Sequence, residues 1–191
     1  MQALRTPQQA VAEDIFFGQA AIIWARWFLI LAGVVLVLWN STESNQLVIA
    51  ILPILALTAM NFYLHGRYLV QRPANQALLG MTSLLDLGII TAIILLWQPR
   101  GLVNAFFTFY YPVVLATAFV FPRRVTIFYT LLTLIAYTVA CVFTDPSLLS
   151  HVGWQKVLLE RLITIAAMGG LGTYYWRIQR ERRSVAMKGQ E

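Results

Sequence analysis

The sequence predicts an all-α integral membrane protein, a six-transmembrane-helix bundle with both termini in the cytoplasm. Three observations predict it. Hydrophobic residues make up 59% of the 191 and charged residues only 12%, about half the charged share of a soluble domain. Apolar stretches of the roughly 20 residues needed to cross a bilayer recur six times. Basic residues also collect on one side of a six-pass path. Arg5, Arg67, Arg72, Arg123, Arg124, Arg177, Arg180, Arg182, Arg183 and Lys188 fall on that side, against Arg100 and Lys156 on the other. By the positive-inside rule that side is the cytoplasm.

The six spans are read at 19–39, 46–65, 78–97, 103–121, 125–143 and 157–177. Residues 1–18 precede them as a cytoplasmic segment, with Val11 and Ile15 spaced for an interfacial helix. No basic leader or small-residue cleavage pattern marks a signal peptide there. Trp39, Trp97 and Trp154 fall at the outer boundary and Trp176 at the inner one, as an aromatic belt would. A polar turn with Glu43 joins the first two spans, and a loop with Arg72-Pro73 joins the next two. Gln98-Pro99-Arg100-Gly101 and Phe121-Pro122-Arg123-Arg124 make tight turns. Pro53 and Pro112 interrupt the second and fourth spans and are expected to kink them. Residues 178–191 form a basic tail. The net charge of +6 is thus a matter of topology and anionic lipid, not of nucleic acid.

This arithmetic leaves no room for a soluble catalytic domain. There is no P-loop, zinc-protease motif or nucleophile constellation, so no catalytic residue is assigned. Cys141 is the one cysteine, and His65 and His151 fall at opposite faces, which leaves no metal or haem site.

The costly residue is Asp86, eight residues into the third span. A carboxylate at such depth costs about 2.5–3.5 kcal/mol on insertion scales and needs a partner inside the bundle. Arg26 in the first span lies at similar depth, and Asn61 is the other polar candidate. Two readings stay open, a ligand or proton site and an interhelical clamp. Phe106 to Pro112 concentrates aromatic surface that suits either the wall of a flat ring ligand or a belt around a kink. Ala166, Gly169 and Gly170 give the sixth span a small-residue face for close helix packing or dimerisation. Glu160 and Arg161 are expected at the outer interface.

These features together resemble the membrane sensor domain of multi-pass bacterial histidine kinases, in particular the redox-responsive RegB/PrrB type. Arg26-Trp27 resembles the start of that family's first helix, and Leu85-Asp86-Leu87 a segment of its third. Arg100-Gly101-Leu102-Val103-Asn104-Ala105-Phe106 resembles its outer turn, Gly-Gly-x-x-Asn-Pro-Phe, with Arg100 at the first Gly and Ala105 at the Pro. Phe121-Pro122-Arg123-Arg124 resembles its turn between helices four and five. The resemblance implies a membrane sensory module of the bacterial inner membrane, without the kinase core, responding to quinone. It implies a quinone site at Gly101, Asn104 and Phe106, to which the neighbouring Tyr110 is added, and a homodimer or cytoplasmic kinase as partner. An accessory subunit of a membrane complex and a small transporter are the competing readings.

Overall fold

The computed structural model describes residues 7–40, 44–70, 74–97 and 99–188. Arg5, Glu43, Arg72, Pro73 and Gln98 lie outside them. The described residues form six α-helices and three short 3-10 turns, with no strand among them. The helices are α1 (Pro7–Asn40), α2 (Ser44–Leu69), α3 (Gln76–Leu96), α4 (Tyr110–Val120), α5 (Arg123–Thr144) and α6 (Val152–Lys188). Four helical stretches among the described residues are long and apolar enough to cross a membrane: Gly18–Trp39, Gln76–Leu96, Arg123–Thr144 and Val152–Tyr175. Ala105–Val120 is a shorter apolar run. Helices are the solution lipid demands, because every backbone N–H and C=O is paired within its own segment.

The exposed surface suits a lipid solvent. Trp24, Phe28, Leu38, Leu52, Phe128, Ile135 and Phe143 are exposed, while Gln19, Arg26, Asn61, Asp86, Thr126 and Thr133 are buried. On α5 this inversion follows the helical period. Thr126, Tyr129, Thr130, Thr133, Tyr137 and Cys141 face inward, and Val125, Phe128, Leu131, Ile135 and Val139 face out. The buried threonines donate to carbonyls one turn back, Thr130 to Thr126 and Thr133 to Tyr129. Those bonds silence the hydroxyls and leave methyl groups to pack. This is the construction of a helical membrane protein.

Consecutive helices run antiparallel. Gln19 of α1 donates to the Leu64 carbonyl of α2 and accepts from Ala74 N–H before α3, and Asn61 donates to the Ile23 carbonyl. α4 is central, packed against α1, α3, α5 and α6. It fits there because Ala116, Thr117 and Ala118 let neighbours come close. At Gly172 of α6 an added Cβ would collide with Ala118.

Several elements differ from the boundaries the sequence predicts. The 1–18 segment is not a separate interfacial helix over its described part, since α1 runs unbroken from Pro7 to Asn40. The fourth span, read at 103–121, is broken into 3-10 turns at Gly101–Val103 and Ala105–Phe109 followed by α4. The steeper 3-10 rise lets 105–120 reach about 26 Å, longer than an α-helix of equal length. Pro112 falls in the first turn of α4, where a missing N–H costs little, so the backbone changes before it rather than at it. The sixth span extends as one helix from Val152 to Lys188, five residues earlier than its predicted start at 157. Ala166 and Gly170 do not pack inside this chain; both lie on its exposed face. The inward face carries Leu158, Ile165 and Gly169, which abuts Thr130.

Candidate functional site

Two polar centres stand out, one within the bundle and one at the end where α3 meets α4. In the first, Arg26 Nε donates to both Asp86 oxygens at 3.1 and 2.8 Å, and Nη2 donates to Oδ2 at 2.7 Å. α1 and α3 run parallel, being two helices apart in an alternating bundle, so equal depth along each brings the pair level. Arg26 and Asp86 are 1% and 2% exposed. Their bidentate geometry offsets the cost of burying two charges. Around them Ser83 donates to the Leu79 carbonyl, and Tyr129 of α5 donates to the Ser83 carbonyl at 2.7 Å. Asn61 is fully buried but bonds α1 rather than Asp86. The pair joins helices and leaves Asp86 fully engaged.

The second centre is the turn. Gly101 adopts a left-handed φ of 62°, which residues with a Cβ avoid. An added Cβ would also strike the Thr144 hydroxyl. Asn104 then organises the connection. Its Nδ2 donates to the Trp97 carbonyl at 3.2 Å, and its Oδ1 accepts from Phe106 N–H at 2.8 Å. An asparagine amide supplies both a donor and an acceptor, so it closes both ends of the turn. Phe106 packs edge-on against Trp97 and Phe109, with ring centroids 6.2 and 5.1 Å away.

Beside this turn lies a small apolar cleft, open on one side. Val37 of α1, Pro53 and Ile54 of α2, and Ala92, Ile93 and Leu96 of α3 wall it, with Trp97 and Phe106 at its end. The Trp97 indole N–H is buried and has no hydrogen-bond partner. The lining of the cleft, mainly apolar with few polar groups, has the chemistry of a small-molecule site.

The four sequence-predicted ligand residues therefore separate. Phe106 lines the cleft. Gly101 and Asn104 shape the turn without lining it. Tyr110 is fully buried, its hydroxyl 2.8 Å from that of Thr91. Trp97 was read from sequence only as an interfacial residue, although it stands at the cleft. Arg161 was likewise placed at the interface, yet it turns inward and donates to Tyr137. Glu160 is exposed. Among the described residues no cluster of His, Cys, Asp and Glu could hold a metal.

Comparison with known protein families, curated proteins and solved structures finds no match to this chain. The functional reading stands on the chemistry of the site.

Proposed function

We propose that this chain is a membrane sensory module that takes a quinone, or a similar flat carbonyl-bearing molecule, in the cleft between α1, α2 and α3. The reading is carried by an apolar cleft in a lipid-facing bundle, one of whose lining residues, Trp97, has a buried indole N–H without a partner. A quinone offers what that cleft lacks: a ring to lie against Phe106 and Trp97, and a carbonyl to accept from Trp97. Entry is lateral from the bilayer, where such ligands dissolve. In this reading the bundle crosses the bacterial inner membrane six times with both termini in the cytoplasm. α6 leads to the basic tail and an output partner, a cytoplasmic kinase or a homodimeric assembly. The resemblance to redox-responsive kinase sensor domains supports the same ligand class.

The test is the thermal stability of detergent-purified protein titrated with a short-chain ubiquinone. Wild-type protein gains stability with quinone. Trp97→Phe weakens binding about fivefold, the worth of one hydrogen bond of about 1 kcal/mol, and Ala92→Phe, which fills the cleft, abolishes it. No stabilisation of wild type, or equal stabilisation of Ala92→Phe, overturns the reading.

A further inference from the structure

Arg161 is held by three other elements at once. Its Nη1 donates to the Leu102 carbonyl in the first 3-10 turn at 2.5 Å and to the Tyr137 hydroxyl of α5 at 2.8 Å. Its guanidinium carbon lies 3.6 Å from the centroid of the Phe107 ring in the second 3-10 turn. Tyr137 in turn stacks on Phe107, with centroids 6.2 Å apart and planes at 28°. Only a planar cation can lie flat on a ring and donate within its own plane together. A lysine could do one or the other.

The position of these contacts matters. Leu102 lies between Gly101, whose φ sets the turn, and Asn104, which ties Trp97 to Phe106. The two residues at the end of the cleft are therefore linked through one short turn to a side chain of α6. From Arg161 that helix continues unbroken to Lys188.

We propose that Arg161 is a positioning residue that couples the turn beside the cleft to α6, so that occupancy of the cleft displaces the helix leading to the tail. The proposal rests on the reading of the cleft as a ligand site. The described partners of Arg161 are neutral, which suits a contact that must be made and released. Linkage also requires the reverse effect: if the ligand moves α6 through Arg161, loss of Arg161 changes ligand affinity.

The experiment uses the full chain in lipid nanodiscs with spin labels at Val103→Cys and Tyr174→Cys, both exposed positions, in a Cys141→Ser background. A short-chain ubiquinone shifts the label distance by about 1–2 Å, the scale of helix shifts at packed interfaces. In Arg161→Gln the quinone still stabilises the protein but the shift is lost; Arg161→Lys gives a smaller shift and guards against a folding failure of the Gln variant. An equal shift in both variants overturns the coupling. Should quinone fail to stabilise even the wild type, the ligand reading fails by itself. The coupling is then judged by Gly101→Ala, which distorts the turn directly. It moves the α6 label when Arg161 is present and not in Arg161→Gln; equal movement, or none, overturns the proposal.

Discussion

Among the described residues two arginines turn into the bundle, and their partners differ in kind. Arg26 is 1% exposed and spends two of its nitrogens on one carboxylate. Arg161 is half-buried and bonds a carbonyl, a phenol and a ring face. In hydrocarbon an ion pair has nowhere to go when broken, because both charges would be left desolvated. Contacts to neutral partners at the bundle end carry a smaller penalty for release. The same residue type thus welds α1 to α3 in one place and, in the proposed coupling, forms a releasable tie in the other. The difference lies in the partner's charge and in depth.

The largest effect separating the two centres comes from breaking the weld. Arg26→Met or Asp86→Leu alone costs about 3–5 kcal/mol, seen as loss of folded protein in thermal unfolding. The double variant Arg26→Met/Asp86→Leu regains most of that, since no charge is left unpaired. A double variant as unstable as the singles would show that the pair does more than hold helices together.

At the turn the expected loss is smaller. Gly101→Ala forces a Cβ into the left-handed region, worth roughly 1–2 kcal/mol, and against Thr144 besides. Adding Thr144→Ala relieves the collision and leaves the backbone strain. Unfolding midpoints of the single and double variants separate those two parts. Full recovery in the double variant would mean that φ carries no strain.

A third contrast sharpens the packing of α6. Gly169→Ala drives a methyl into Thr130 and costs about 1–3 kcal/mol, as overpacking does. Gly170→Ala meets nothing within 4 Å and stays within about 0.5 kcal/mol. Equal effects at both glycines would contradict the rotation of α6 described above.

The helical membrane architecture was legible because apolar runs and buried charges are strong signals. Arg26 and Asp86 stand out in apolar sequence, and equal depth on parallel helices points from one to the other. Other features were hidden for identifiable reasons. Hydropathy treats threonine as nearly neutral, so the inward stripe of α5 from Thr126 to Tyr137 goes unseen until it is read at the helical period. Arg161 was placed at the membrane boundary because the sixth helix was started at 157; from its observed start at Val152 the same residue lies about two and a half turns in. Small residues carry no direction of their own. Of Ala166, Gly169 and Gly170, the small residues the sequence singles out, Gly169 meets a neighbour, Thr130, and Gly172, which it does not single out, meets Ala118. Asn104 was visible in its motif, whereas its task of closing the turn depends on where the Trp97 carbonyl ends up. The cleft depends on residues from three helices and has no local signature at all.

In the proposed mechanism a welded interior supports a ligand-responsive turn. Hydrogen–deuterium exchange of the protein in nanodiscs, with and without a short-chain ubiquinone, tests it most directly. Exchange is expected to be slow over residues 82–87 of α3 and unchanged by quinone, and faster over 101–109, where quinone slows it. Equal protection of both segments, or a turn indifferent to quinone, would contradict it.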